Sequence, residues 1–196
     1  MEGMEMNPSR EEQNGLLGFL ALYQTSSKDG YLGAILITDL HGIPEEFRCT
    51  HPVKPTTIQK PLYGNTLQPY IGVNLCGIPL IESIQKKPSL IMVPDEFLLD
   101  VRTACPCPVV LIRRAGEAIE IGTSDSPETT LARERIDCST GKFQPIIFSP
   151  CYDFDDDMAS AREILERIFP FFDPLEPFER ISKAIEVLGK QDTRFQ

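Results

Sequence analysis

The stretches GFLALYQTSSKDGYLGAILITD (residues 18–39) and SLIMVPDEFLLDVRTACPCPVVLIRR (residues 89–114) decide the predicted fold. In the first stretch, two apolar runs flank the polar turn SSKDG, which predicts two strands. In the second, the runs SLIMV and PVVLIRR flank the helical pattern EFLLDVRTA, and this arrangement is typical of buried parallel strands joined by a helix. The chain is therefore predicted to form a mixed sheet of the α/β class, with α+β as the alternative.

The segment between these two stretches completes the predicted first half. EEFRCTHPV (residues 45–53) alternates apolar and charged residues, which predicts a third strand in an antiparallel meander. Prolines interrupt residues 52–69, which we expect to form an extended loop. A short helix is predicted from Leu67 to Gly77, and a second helix begins at Pro79 because proline is well tolerated at the first helical position.

The second half is predicted to end in helices. EAIEIG (residues 117–122) reads as an edge strand, residues 123–141 as a polar excursion with a helical turn at LARERI, and QPIIFSP as a short strand. Two amphipathic helices follow, and the break at Pro170 makes them a helical hairpin. The predicted organisation is a disordered tail over residues 1–15, a core domain over 16–150, and acidic helices over 151–196 that pack on the core or on a partner.

Charge and composition limit the classes of function that the chain can have. The net charge is −10, and most of the acid lies at the two ends of the chain. Because the chain lacks an overall basic footprint, direct nucleic-acid binding is disfavoured, and so is an anionic membrane surface. No apolar run is long enough for a membrane span, the acidic N-terminus does not resemble a signal peptide, and the six cysteines contain no CxxC pair. The sequence predicts a cytoplasmic protein with reduced thiols and no bound metal.

One run of residues carries a resemblance to a known family. GIPLIESIQKKPSLIMVPD (residues 77–95), with Tyr63-Gly64 and Leu67 upstream, resembles the middle of endonuclease V over about residues 60–95. Endonuclease V is a ribonuclease-H-like nuclease, so the resemblance implies a sheet with ribonuclease-H-like strand order. It also implies carboxylates that hold Mg²⁺ or Mn²⁺, because hard cations require several converging oxygen ligands.

The carboxylates of that family are missing or displaced in this sequence. GFLALYQTSS offers none on the first strand, and Cys76 and Gly77 stand where a glutamate is expected. If the chain is enzymatic, the candidate catalytic residues are Asp39, Glu82 and Asp95. Otherwise Asp95 caps a helix, Asp39 borders a turn and Glu82 is a solvated helix residue.

The sequence alone therefore favours a protein that acts through protein contacts and has no cofactor. We expect a non-catalytic adaptor with a protein partner and leave its oligomeric state open. Its candidate partner-binding residues lie on the C-terminal helices: Phe169, Phe171, Phe172, Phe178 and Ile181. One alternative is a metal-dependent nuclease or other nucleic-acid-processing enzyme. A second is a small-molecule sensor that uses residues 52–69 as a lid.

Overall fold

The computed structural model describes residues 15–116 and 131–195. In these residues the chain forms a seven-stranded mixed sheet with helices on both faces. The strands are β1 (Leu17–Gln24), β2 (Tyr31–Thr38), β3 (Pro44–Cys49), β4 (Leu90–Val93), β5 (Val109–Arg114), β6 (Glu134–Ile136) and β7 (Ile146–Pro150). This architecture confirms the predicted fold class.

The strand order is β3-β2-β1-β4-β5-β7-β6. β1, β2 and β3 form the predicted antiparallel meander, and β4 and β5 run parallel as predicted. β1 also pairs parallel with β4. β7 and β6 then add to β5 as antiparallel strands. Parallel strands of one sheet end at the same edge, so β1, β4 and β5 bring their carboxyl ends together.

The helical elements of the first half differ from the prediction in two places. They are α1 (Gln59–Tyr63), a 3₁₀ turn (Gly64–Thr66), α2 (Leu67–Tyr70), a π-helix (Ile71–Gly77), α3 (Ile78–Ser83) and a 3₁₀ helix (Glu96–Ala104). The predicted extended loop over residues 52–69 is thus partly helical. The two helices predicted around Gly77 are continuous, because the π-helix joins α2 to α3 without a break.

Glycine lets this continuous helix lie directly on the sheet. A Cβ atom at Gly33 on β2 would stand 2.6 Å from the Cβ of Cys76, and one at Gly77 would stand 2.7 Å from Val101. Both distances are shorter than side-chain contacts permit, so only glycine allows this close packing.

Two apolar clusters fill the two faces of the sheet. Leu17 and Phe19 of β1 belong to the cluster beneath the C-terminal helices, whereas Leu20 belongs to the opposite cluster, beneath α3 and the 3₁₀ helix. The central strands are therefore buried on both sides, which explains their uninterrupted apolar sequences.

The segment after β5 contains one wrong prediction and one that lies outside the described residues. LARERI includes β6 and not a helical turn, because Ile136 pairs with Ile146 of β7 and is buried in the core. The predicted strand EAIEIG, residues 117–122, lies outside the described residues, as does nearly all of the predicted tail.

The chain ends in α4 (Asp156–Ile168), α5 (Glu176–Gln191) and a 3₁₀ turn (Thr193–Phe195). Leu165 of α4 and Ile181 of α5 belong to the same apolar cluster as β1. The division of the chain at residue 150 stays a prediction. None of the helices in the described residues is long and apolar enough to cross a membrane.

Candidate functional site

The carboxyl edge of the parallel strands holds the candidate site. The register pairs Phe19 of β1 with Met92 of β4, and Val93 of β4 with Leu111 of β5. Extending this register by two residues places Asp95 beside Arg113, at about the spacing of neighbouring strands, ~5 Å. Open α/β sheets bind their ligands outside the carboxyl ends of such strands.

Asp95 is a partly buried carboxylate without a hydrogen-bonding role in the described structure. Its backbone is extended and precedes the 3₁₀ helix, but its side chain makes no capping hydrogen bond. Burial raises the pKa of Asp95, and the charge of Arg113 only partly offsets this effect. A carboxyl group with a raised pKa beside a cation is typical of a functional site.

Tyr23 of β1 is a neighbour of Asp95. Its hydroxyl donates a hydrogen bond of 2.9 Å to the carbonyl oxygen of Phe178, which ties α5 to the edge. Burial, with a smaller contribution from Asp95, raises the pKa of Tyr23, so that the phenol stays neutral. The tyrosine is therefore a neutral neighbour of Asp95.

A small pocket of about 50 Å³ lies on one face of the β5 end. Its lining residues are Glu96, Leu111, Arg113, Arg114, Arg133, Ile147 and Ser149. Ser149 is only 2% exposed, and in residues 15–116 and 131–195 its hydroxyl has no hydrogen-bond partner. Asp173 neutralises Arg114, but Arg113, Arg133 and the Ser149 hydroxyl still face the single lining carboxylate of Glu96, so this pocket suits a small anion.

The three arginines differ in how they are engaged. Arg114 forms an ion pair with Asp173 and donates a hydrogen bond of 3.1 Å to the carbonyl oxygen of Gln144. In the described part of the chain, Arg113 and Arg133 have no hydrogen bond or close ion pair. These two side chains are thus available for a ligand.

A wider cleft of about 370 Å³ opens on the other face of the same strand end. Pro94, Arg113, Arg114 and Phe178 line it, together with acidic residues near α5. Because Arg113 and Arg114 line both spaces, the pocket and the cleft form one continuous edge around the end of β5. Asp95 lies between Pro94, which lines the cleft, and Glu96, which lines the pocket.

Two exposed tyrosines lie on the helical segment that crosses this end of β1. The rings of Tyr63 and Tyr70 are in contact, with centroids 5.2 Å apart. Two residues after Tyr70, Gly72 packs against Leu22 of β1 and the ring of Phe97. The tyrosine pair therefore lies on the side of the sheet near the carboxyl edge.

The structure does not bring together the three carboxylates proposed for a metal site. Asp39 follows β2 beside the amino end of β1, about 20 Å along the strand from Asp95. Its carboxylate accepts hydrogen bonds of 2.8 Å from the backbone amides of His41 and Ile43, while Glu82 is exposed on α3. In the described residues, no group of three or more His, Cys, Asp or Glu side chains could hold a metal ion. The donor set of these residues does not fit Mg²⁺ or Mn²⁺.

Most of the predicted partner-binding residues lie in the interior. Phe169, Phe172 and Ile181 are buried in the core, and Phe178 packs against it. Phe171 alone among the five is largely exposed, at 74%. The other four side chains pack in or against the apolar cluster that includes residues of β1.

Sequence analysis missed most of the observed edge. Arg113 and Arg114 are visible as a basic pair at a strand end, but Tyr23, Arg133 and Ser149 carry no local signal. Ser149 reaches the pocket only because β7 pairs antiparallel with β5, which sets it opposite Leu111. That register depends on contacts between distant segments.

Comparison with known proteins identifies solved structures with a similar fold. No family model matches the chain, and no curated protein matches it. Endonuclease V from Bacillus subtilis matches with a TM-score of 0.59 at 12% sequence identity, over 92% of this chain and 84% of that one. Endonuclease V from Ciona intestinalis, a D234N variant in complex with inosine-containing DNA, matches with a TM-score of 0.50 at 10% identity, over 93% and 88% of the two chains. The similarity confirms the predicted resemblance at the level of the fold.

The comparison corrects two expectations from the sequence. The leaning towards a protein that is not an enzyme is wrong, because structures that share the fold over nearly the whole chain are endonucleases. The expectation that direct nucleic-acid binding is disfavoured is also wrong, because one of these structures is in complex with DNA. The sequence argument used the distribution of charge along the chain, whereas Arg113, Arg114 and Arg133 come together at one edge only in the folded structure. The solved structures of similar fold are nucleases, which matches the nucleic-acid-processing alternative better than the adaptor.

Proposed function

We propose that this chain is a nucleic-acid-processing enzyme that binds its substrate across the carboxyl edge of β1, β4 and β5. One observation carries the proposal: Arg113, Arg114 and Arg133 line a small pocket together with Ser149, whose hydroxyl has no hydrogen-bond partner in the described residues. A phosphate group of the substrate would occupy this pocket. The fold shared with endonucleases supports the same class of substrate.

The chemistry of the pocket favours a phosphate. Guanidinium groups form charge-assisted and often paired hydrogen bonds with phosphate oxygens, and a serine hydroxyl adds a further donor. Since Arg113 and Arg133 have no competing ion pair in the described residues, binding a phosphate does not require breaking one. The net charge of −10 repels a polyanion from the rest of the surface, which would confine binding to this edge.

The exposed tyrosines support a single-stranded substrate. Nucleic-acid bases stack on aromatic side chains without strict sequence preference, and each stacked base contributes about 1–3 kcal/mol. Tyr63 and Tyr70 are partly exposed and lie on the side of the sheet near the carboxyl edge. A strand whose phosphate sits in the arginine pocket could therefore stack an unpaired base on them.

Asp95 is the group we propose to exchange protons with the substrate. Its raised pKa brings its titration closer to neutral pH, where a general acid or base works best. Arg113 beside it would stabilise negative charge that develops on a phosphoryl oxygen. Since the described residues do not form a cage for Mg²⁺ or Mn²⁺, no step of this proposal depends on such an ion.

A binding experiment tests the pocket. Fluorescence anisotropy with labelled single-stranded RNA and DNA oligonucleotides would be measured for the native chain and for an Arg113→Ala/Arg133→Ala variant. We expect the variant to bind at least tenfold more weakly, since hydrogen bonds to charged groups contribute about 1.5–3 kcal/mol each. Arg135→Ala and Arg162→Ala remove exposed arginines outside the pocket and should change the affinity less than twofold. An equal loss in all variants, or no binding by the native chain, would contradict the proposal.

A turnover experiment tests Asp95. The same oligonucleotides would be incubated with the native chain and with Asp95→Asn over a range of pH, and products resolved by size and by mass. We expect turnover by the native chain with a pH dependence that disappears in Asp95→Asn, while oligonucleotide binding is retained. Undiminished turnover by Asp95→Asn would rule out the role of this carboxyl group.

We also propose that the protein is cytoplasmic, as the sequence predicts. The proposal rests on the sequence, in which six cysteines contain no CxxC pair.

A further inference from the structure

A pair of cysteines lies in contact at the amino end of β5, far from the proposed edge. Cys105 and Cys107 stand in the run ACPCP, between the 3₁₀ helix and β5. A proline follows each cysteine, and a residue before proline favours extended backbone. Cys105 has φ −111° and ψ 129°, so the chain is extended here. Side chains two residues apart in extended chain point the same way, which brings the two sulfur atoms to 3.2 Å.

Neighbouring residues hold this pair in place. Arg102 donates a hydrogen bond of 2.7 Å to the carbonyl oxygen of Cys105. The same guanidinium group binds both carboxylate oxygens of Asp157 on α4, at 2.6 and 3.0 Å. Cys105 is therefore anchored at its backbone and is 5% exposed, while Cys107 is partly exposed.

We propose that Cys105 and Cys107 are a redox-active dithiol, which small-molecule disulfides oxidise to an intramolecular disulfide. Disulfide formation requires a sulfur–sulfur distance of about 2.05 Å, so the two sulfurs must approach by roughly 1 Å. All six cysteines lie in described residues, and only this pair has its sulfur atoms in contact. The proposal is independent of nucleic-acid binding.

The protonation of the pair favours exchange. The hydrogen bond from Cys107 lowers the pKa of Cys105 to about 7, against the opposing effect of burial, and Arg102 lowers it further. The same hydrogen bond raises the pKa of Cys107. Near neutral pH, a large share of Cys105 is thus thiolate that accepts a hydrogen bond from the Cys107 thiol, and a thiolate is the attacking species in thiol–disulfide exchange.

The reaction has two balanced steps. The Cys105 thiolate attacks one sulfur of a small disulfide RSSR, which forms a mixed disulfide and releases RS⁻. The released thiolate takes the proton from Cys107. The Cys107 thiolate then attacks the sulfur of Cys105 and releases a second RS⁻, which takes a proton from water. Two cysteine sulfurs are oxidised and one RSSR is reduced to two thiols.

Mass spectrometry tests this proposal on the folded chain. The protein would be treated with 2-hydroxyethyl disulfide, quenched with acid, alkylated and digested with trypsin, which cleaves after Arg102 and Arg113. The peptide 103–113 contains only Cys105 and Cys107. We expect it to lose two hydrogens and to resist alkylation, with a rate that increases with pH through about 7 because the attacking group is the thiolate.

Single-cysteine variants separate the two roles. Cys107→Ser should stop at a mixed disulfide on Cys105, whereas Cys105→Ser should react much more slowly because burial keeps the pKa of the remaining Cys107 thiol raised. Cys138→Ser and Cys151→Ser, which leave the pair intact, should form the disulfide as the native chain does. The proposal would be overturned by a native peptide 103–113 that stays reduced, that carries only mixed disulfides, or that is linked to another cysteine.

Discussion

The two ends of the parallel strands differ in how most of their charged residues are bonded, although Arg114 at the carboxyl end is paired with Asp173. At the amino end, Asp39 accepts two backbone hydrogen bonds, and Arg102 is paired with both oxygens of Asp157. At the carboxyl end, Asp95 and Arg113 have no hydrogen bonds within the described residues. We refer to these regions as the bonded end and the open end.

The difference indicates which polar residues support the fold and which are available for a ligand. Charged side chains that are partly buried and have no hydrogen-bond partner do not stabilise the fold, so folding alone gives no reason to keep Asp95 and Arg113 together at one edge. A ligand that supplies the missing partners gives such a reason. Substitutions at the bonded end should therefore reduce stability, whereas substitutions at the open end should reduce binding.

The largest loss of stability is expected for Arg102→Ala. The substitution leaves the Asp157 carboxylate, 6% exposed, without its bidentate partner. Removing one member of a buried pair costs about 3–5 kcal/mol because a charge remains uncompensated. Urea unfolding measures this loss, and Arg135→Ala, which removes an exposed arginine, is the matched control. Equal stability of the two variants would contradict a structural role for the bonded end.

A smaller loss, about 2 kcal/mol, is expected for Glu46→Ala. This carboxylate accepts hydrogen bonds from the backbone amides of Gln85 and Lys86 and from the side chain of Arg48. Burial raises the pKa of Glu46, but these bonds outweigh it and hold the pKa below its usual value.

The same substitution predicts a change in the pH dependence of stability. A lowered pKa gives stability that is present above the unfolded-state pKa, about 4.3, and is lost as the pH falls through the folded-state value. The free energy of unfolding of the native chain should therefore decrease more steeply with acid than that of Glu46→Ala. Parallel pH profiles would contradict this account.

An effect of about 1 kcal/mol is expected for Tyr23→Phe, which removes the hydrogen bond to the carbonyl oxygen of Phe178. Tyr23 shares a feature with each end. Its hydroxyl donates a hydrogen bond, as polar groups at the bonded end do, but it neighbours Asp95 at the open end. Thermal and urea unfolding should detect the loss, and Tyr152→Phe provides an exposed control. If the variant is as stable as the native chain, the hydrogen bond of Tyr23 does not support the fold.

The smallest change in stability is expected for Asp95→Asn, within about 0.5 kcal/mol of the native chain near neutral pH. Its raised pKa means that the folded state holds a proton more tightly than the unfolded state, so the native chain loses stability as the pH rises from the unfolded-state pKa, about 3.9, through the raised folded-state pKa. The variant should lack that decrease. A large loss of stability in Asp95→Asn would show that the carboxylate supports the fold.

The sequence predicted the sheet far better than the site. Continuous apolar runs such as SLIMV identify strands that are buried on both faces, and that signal is local. The open end instead depends on which residues face each other across strands. Asp95 meets Arg113, and Ser149 meets Leu111, through pairings between distant segments. Nothing near Ser149 in the sequence indicates that its hydroxyl lines an arginine pocket.

The C-terminal helices illustrate a second limit. Their apolar periodicity correctly predicted α4 and α5, but periodicity does not state what covers the apolar face. Phe169 and Phe172 are buried in the core while the intervening Phe171 is exposed. The aromatic run therefore includes both core and surface residues.

The most direct test of the central claim compares the arginine side chains at the two ends. Heteronuclear NMR of the arginine Nε–Hε groups would be followed while inorganic phosphate, and then a single-stranded oligonucleotide, is added to the native chain. We predict saturable shifts for Arg113 and Arg133 at the open end and unchanged signals for Arg102 and Arg48, whose Nε–H groups already donate hydrogen bonds. Shifts that spread evenly over exposed arginines such as Arg135 and Arg162, or that are largest at the bonded end, would contradict the account.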